Sequence, residues 1–367
     1  MAVKNFEMIK LNTDVTTTRT LLHEAIPVTG TIINSGTYDN NNIKNFTHGM
    51  FQSVYDYPYL SSSANHIFDI SVGYAGLSKL SSSTSIQNDK KINMYTEYAQ
   101  TLLGYTGSLT DPINQVRLFE SDLTLDGTNQ MTDVFFINFS RLLTKDQIKK
   151  GTFSITLGTG SFASPFAGDS AITLSDASAS ADGTGTSNVL GGDYGLLYSN
   201  RTNTVMGNIF YQAGIAVISG AAWGTSGSIG TLTQSTPHGW YVDNIAGAGT
   251  VFTGSWSMAL TGTNISGACD AVRQRIQTLS FNNTTEINSK IYFCRVPHNK
   301  FNYSSNPTYT SGSKIRVKNT AADQPVAYIT TVGLYNTAGE LLAVAKLSEP
   351  IRKDPTNDVT LRVRLDY

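Results

Sequence analysis

The residues that could do chemistry in this chain fall into a few small groups. "ITLGTGSFA" (residues 155–163) contains a G-x-G-x-x-A after an apolar alternation. A dinucleotide site needs that fingerprint to open a helix whose first amides meet the pyrophosphate. Pro165 and Gly168 interrupt at once and no βαβ pattern follows, so no cofactor is expected. "GTSGSIG" (224–230) lacks the G-x-S-x-G spacing of a strained nucleophile elbow. The five histidines, at 23, 48, 66, 238 and 298, stand singly, with no HxH, HExxH or Cys/His cluster to hold zinc. "DASASADG" (176–183) has the wrong spacing for a calcium loop. The expectation is a non-enzyme with no catalytic, cofactor-binding or metal-ligating residues.

Elements that could position such groups must come from an unusual composition. The chain has 367 residues, a formal net charge of −1 and only 14% charged residues, against an average near ~25%. Ser, Thr, Asn and Gly replace the missing charge. Net charge near zero removes colloidal repulsion, so the surface is poorly protected against self-association. No basic excess exists to grip phosphate backbones, which argues against a nucleic-acid partner. The opening "MAVKNFEMIKLNTD" lacks the apolar core of a signal peptide, and no apolar run is long enough for a membrane span. Cys269 and Cys294 lack CxxC spacing and read as two reduced core thiols.

The pattern predicts a mainly β, multi-domain protein of β-sandwich-like domains with two or three short helices. "NFTHGMFQSVYDYPYLSSSANHIFDISVGYA" (45–75) is rich in Phe and Tyr suited to core and inter-subunit packing. "NDKKINMYTEYAQTLLGY" puts Ile92, Tyr95, Tyr98, Ala99, Leu102 and Leu103 on one helical face, with Asn88 or Asp89 as cap and Gly104 just past the end. Residues 134–139 read as a strand buried on both faces. Residues 144–150 read as a helical turn, with Thr144 and Gln147 at capping-box spacing. Residues 152–157 alternate, with Phe153, Ile155 and Leu157 on one side.

Composition shifts at Gly158. From there to about Gly267 the chain is Gly, Ser, Thr and Ala, with Arg201 its only Lys or Arg. Residues 194–219 read as two strands around a polar turn, and Trp223, Trp240 and Trp256 recur beyond them. "GACDAVRQRIQTLSF" reads as a helix carrying Ala268, Val272, Ile276 and Leu279; "KIYFCRV" and "KIRVKN" read as strands. The expected domains are 1–157 (α+β), 158–267 (a Gly/Ser/Thr-rich β domain or insertion) and 268–367 (β, with a hairpin at 328–347 and a last strand at 358–367).

"YITTVGLYNTAGELLAVAKLSEP" (328–350) is the densest β-forming stretch. Asn336–Thr337–Ala338–Gly339 fits a type I turn closed by a G1 bulge at Gly339. Leu341, Ala343, Ala345 and Leu347 line one face of its second strand, and Leu342 and Val344 the other, so neither face suits water. The missing cover comes either from the chain's own sheet or from a neighbouring subunit. In "DVTLRVRLDY", Val359, Leu361, Val363, Leu365 and Tyr367 alternate with polar residues including Arg362 and Arg364, a sheet partner or open edge.

"IYFCRVPHNKFNYSSNPTYTSGSKIRVKN", followed by the hairpin and "DVTLRVRLDY", resembles virion structural proteins of contractile-tailed bacteriophages of the cyanophage and marine type. "TTTRTLLHEAIPVTGTI", "NIKNFTHGMFQSVYDYPYLSSSANHIFDISVGY" and "FFINFSRLLTKDQIKKGTFSITLG" resemble the same family, and "GNIFYQAGIAV" does so more weakly. "TTVGLYNTAGELLAVAK" is also similar to a hairpin of baseplate and tail-fibre attachment proteins. The resemblance covers most of the first third and the last quarter, and fades over 158–270. It implies a virion component, assembled in the host bacterial cytoplasm, that joins copies of itself as a symmetric homo-oligomer and contacts other virion proteins. It supplies no catalytic residues. The assembly-interface candidates are Leu334, Tyr335, Leu342, Val344, Arg362, Arg364 and Tyr367. A tail component that binds or cleaves host-surface glycans through Trp223, Trp240 and Trp256 is the alternative in a different class. Head or neck decoration is the third.

Overall fold

The computed structural model describes residues 6–28, 40–78, 81, 86–106, 116–159, 166, 168, 170–180, 182–223, 240–243, 251–254, 265–273, 275–303, 310–311, 314–315, 322 and 324–367. The protein is mainly β, with 48% strand and 14% helix. It gathers into two compact units, Leu22–Thr285 and the pair of segments Met1–Leu21 and Glu286–Tyr367. The chain changes unit inside its first strand, β1 (Val15–Pro27), and again inside a much longer one, β15 (Ile276–Val296).

The larger unit begins with β2 (Ile43–Asn45), β3 (Gln52–Tyr55) and β4 (His66–Tyr74), followed by helix α1 (Ile86–Leu102). Next come β5 (Asp133–Phe139), the single turn α2 (Arg141–Thr144), β6 (Gln147–Ile148), β7 (Ser154–Gly158) and β8 (Ala171–Ser175). The strands β9 (Thr186–Val189), β10 (Gly192–Ser199), β11 (Val205–Phe210) and β12 (Ile215–Ser219) complete the main run. A small pair, β13 (Trp240–Asp243) and β14 (Val251–Gly254), precedes helix α3 (Ile265–Arg273) and the entry into β15. The sheet path is β15-β7-β8-β10-β11-β12-β5-β4-β3-β2, with β6 also on β15 and β9 on β10. The composition shift at Gly158 therefore falls within one sheet: Ile155 pairs with Leu174 on one side and Leu279 on the other.

Strand β5 shows why this sheet holds. Its odd residues Phe135, Ile137 and Phe139 enter one apolar cluster, and its even residues Val134 and Phe136 enter a second. Side chains alternate across a strand, so a run apolar at every position must be covered on both faces. Helix α3 contributes Ile265, Ala268, Cys269 and Val272 to the first cluster. Helix α1 contributes Tyr95, Ala99 and Leu102 to the second, as its periodicity predicts. Gly104, at φ +78, turns the chain just beyond the helix, and its amide donates to the Ala99 carbonyl. The helix lies close because β4 offers Gly73 beneath it: a Cβ there would stand 2.7 Å from the Tyr95 amide nitrogen.

Several local expectations are corrected. Residues 194–219 form three strands, because Gly214 at φ +68 turns the chain inside a run that reads as continuous β. Thr144 ends α2 rather than capping a helix, Lys145 follows with φ +55, and Gln147 pairs with Thr284. Helix α3 stops at Arg273. Ile276 and Leu279 belong to β15, where they face Leu157 and Ile155. A register shift between Ile276 and Thr278 lets residues three apart bury together, and that spacing imitates a helix.

The smaller unit is built around the far half of β15, with β1 on one edge and β20 (Val359–Asp366) on the other. Between β15 and β20 lie β16 (Thr310–Ser311), β17 (Lys314–Ile315), β18 (Ala327–Tyr335) and β19 (Leu341–Lys353). Strands β16 and β17 pair with each other, and so do β18 and β19, each as a sheet of two.

Candidate functional site

The β18–β19 hairpin turns where its sequence predicts. Asn336 N donates to the Glu340 carbonyl at 3.0 Å, Glu340 N donates to Asn336 Oδ1 at 2.8 Å, and Gly339 takes φ +83. The register shifts between Leu334 and Tyr335, as a bulged turn requires. A second shift, between Ile329 and Thr331, falls opposite the Ser348–Pro350 segment, where Pro350 has no N–H to give the ladder. At the base, buried Lys353 donates from Nζ to Asn302 Oδ1 and the Asp354 carbonyl, both at 2.7 Å, and to the His298 carbonyl at 3.2 Å.

Above that base the hairpin is bare. Leu341 and Leu342 are 51% and 69% exposed, Val344 is 53% and Tyr328 is 62%. Leu341 and Leu342 point to opposite faces, so both faces present large apolar side chains. Leu334 is buried, whereas Tyr335 is partly exposed and meets Phe6 edge-on with ring centroids 5.2 Å apart. The larger hydrophobic surface predicted for the hairpin is thus present, and it is uncovered among the described residues.

The other interface candidates lie on and beside β20. Leu361 and Val363 are buried, while Arg362 and Arg364 take the exposed side. Arg364 Nε donates to Asp366 Oδ1 at 2.6 Å and to Ser289 Oγ at 3.2 Å. The Ser289 hydroxyl, then the Arg364 guanidinium, hold the Asp366 carboxyl below the usual carboxylate range. Tyr367 is exposed, with Lys290 Nζ over its ring at 5.7 Å. Strand β20 pairs only with β15, and β1 is nearly all exposed and has β15 as its sole strand neighbour. Two sheet edges are therefore open among the described residues.

The tryptophans divide differently. Trp223 is a core residue, 4% exposed, edge-on to Phe135 and donating from Nε1 to the Gly158 carbonyl. Its ring offers no face to a sugar. Trp240 lies on β13, and Trp256 lies outside the described residues. Of the aromatics in 45–75, Phe68 and Tyr74 are sealed in the core while Tyr57 is 59% exposed. Burial pushes the Cys269 thiol up, away from the thiolate that a nucleophile needs.

One set of acids was not picked out by motif. Carboxylate oxygens of Glu120, Asp122 and Asp126 lie within 4.8 Å of one another. The signal is in the alternation of "ESDLTLDGTN" (120–129): Asp122, Thr124 and Asp126 stand at every second position with Gly127 next. Compared with known proteins, the chain matches no family model, no curated protein and no solved structure. Among the described residues, no helix is long and apolar enough to cross a membrane.

Proposed function

We propose that this protein is a non-enzymatic structural component of a tailed-phage virion, placed in the tail or baseplate. In this reading it assembles as a symmetric homo-oligomer and contacts other virion proteins. The observation that carries the proposal is the β18–β19 hairpin, a two-stranded sheet with exposed Leu341, Leu342, Val344 and Tyr328 on its faces. An isolated hairpin is at best marginal in water. Covering each Leu or Val is worth roughly 1.5–3 kcal/mol, so a second protein layer on this surface is strongly favoured. The open edges of β1 and β20 offer backbone donors and acceptors for strand addition, a common way to join subunits. The resemblance of the hairpin segment to baseplate and tail-fibre attachment proteins favours the tail over the head. The burial of Trp223 weakens the glycan-binding alternative, since it removes one of three stacking candidates.

Quantitative mass spectrometry of purified phage particles, separated into head and tail fractions, tests the reading. The expected result is a fixed multiple copy number that follows the tail. Absence from particles, or recovery only with heads, would count against it.

A further inference from the structure

The acidic loop leading into β5 carries a second inference, independent of assembly. It is pinned at its neck: Glu120 and Gln130 form a β-bridge, Met131 N donates to the Phe119 carbonyl at 2.7 Å, and Ser121 N donates to the Asn129 carbonyl at 3.0 Å. Leu123 and Leu125 pack inward on the second apolar cluster. The residues alternating with them face the other way, so Asp122 and Asp126 gather beside Glu120.

Within this loop the carboxylates are arranged by neutral donors. Asp122 Oδ1 accepts from the Thr124 amide at 3.0 Å and the Thr124 hydroxyl at 2.8 Å, and Oδ2 accepts from Asn129 Nδ2 at 3.1 Å. Asp126 Oδ1 accepts from the Thr128 amide at 2.9 Å and hydroxyl at 2.6 Å. Glu120 Oε1 accepts from the Gly127 amide at 2.8 Å. No ion pair among the described residues includes any of the three acids.

Glu120 supplies the independent observation. It is only 3% exposed, yet its Oε2 is buried with no hydrogen-bond donor. Asn208, fully buried behind it, donates from Nδ2 to the Glu120 carbonyl at 3.0 Å and leaves its own Oδ1 without a donor. A buried acceptor left unmade costs about 1–3 kcal/mol, and more when it is charged. A divalent cation beside Glu120 Oε2 supplies the positive partner that this buried acceptor lacks.

We propose that Glu120, Asp122 and Asp126 form a Ca²⁺ site, with Glu120 Oε2 as its buried ligand. Calcium holds oxygens at 2.3–2.6 Å, so ligands on opposite sides of the ion stand roughly 5 Å apart. The observed limit of 4.8 Å fits that span. The donors are all hard oxygens, with no His or Cys to favour a softer metal. Asp122, Asp126 and Gly127 also match the first, fifth and sixth positions of a calcium loop, with Thr124 in place of the usual Asp or Asn at the third, and Gly127 takes the positive φ, +93, that a sharp turn there demands. The flanks are a β-bridge rather than two helices, and the extra carboxylate precedes the loop instead of closing it.

Titrating chelator-stripped full-length protein with Ca²⁺ in a calorimeter tests this directly, with Mg²⁺ as a parallel arm. The expected result is one Ca²⁺ per chain and a Ca²⁺-dependent rise in melting temperature of about 3 °C or more. Asp126→Asn, an exposed change that leaves the fold intact, is expected to weaken binding at least about tenfold, since affinity follows ligand charge. Tyr194, whose hydroxyl donates to the Asp122 carbonyl at 3.4 Å, sits close enough to sensitise bound Tb³⁺. That luminescence should appear in the wild type, fall with added Ca²⁺ and be lost in Asp126→Asn. No heat, no thermal shift and no sensitised emission would overturn the proposal, as would equal Ca²⁺ binding by wild type and Asp126→Asn.

Discussion

Strands β5 and β19 carry much the same kind of sequence and meet opposite fates. In "DVFFINF" every residue but Asn138 is buried, because β4 and β12 flank the strand and an apolar cluster lies on each face. In "LLAVAKL" no residue is fully buried, because among the described residues β19 has β18 for its only strand neighbour. A run of apolar residues on both faces states how much cover a strand needs. It does not state which chain provides that cover. The contrast separates residues packed within the fold from residues left exposed on it, and substitutions in the two regions should behave accordingly.

The sharpest loss is expected in the larger unit at Asp176. Its buried carboxylate accepts from the Gly151 amide at 2.8 Å, the Phe153 amide at 2.9 Å and the Tyr211 hydroxyl at 3.0 Å. Asp176→Ala strands three donors and should cost about 4 kcal/mol in urea unfolding. Gly73→Ala comes next. Its new Cβ would meet α1 backbone atoms that cannot swing away, so about 3 kcal/mol should be lost and α1 displaced. In the smaller unit, Gly339→Ala has open space for its methyl but a φ of +83, so strain alone should cost about 1 kcal/mol, read as faster amide exchange in the hairpin. Smallest of all, Leu342→Asp with Val344→Asp should change the unfolding free energy of the dissociated single chain by less than about 0.5 kcal/mol, because neither side chain is packed within it. A large loss from that pair would erase the distinction between the two regions.

Much of this division is legible in the residues. The period of α1, the two-faced apolar run of β5, the bulged turn at Gly339 and the alternation of β20 all follow from local rules that the tertiary structure leaves in force. What misleads is a bulge or a hidden turn. Ile276 and Leu279 look helical because a register shift buries residues three apart, and Gly214 breaks a run that otherwise reads as one strand. The Glu120 loop was hidden for another reason. Its Asp122 and Asp126 spacing is visible in sequence, but Glu120 becomes a buried acceptor only when the Glu120–Gln130 bridge closes beside Asn208. Nothing in the hairpin's sequence, likewise, tells a self-covered surface from a partner-covered one.

Sedimentation velocity of the purified chain across a concentration series tests the central claim most directly. The account predicts a species several times heavier than the 39.6 kDa single chain. It predicts that Leu342→Asp with Val344→Asp returns the protein to the single-chain mass with its circular dichroism unchanged. A wild type that stays at the mass of one chain at every concentration, matching the double variant, would contradict it.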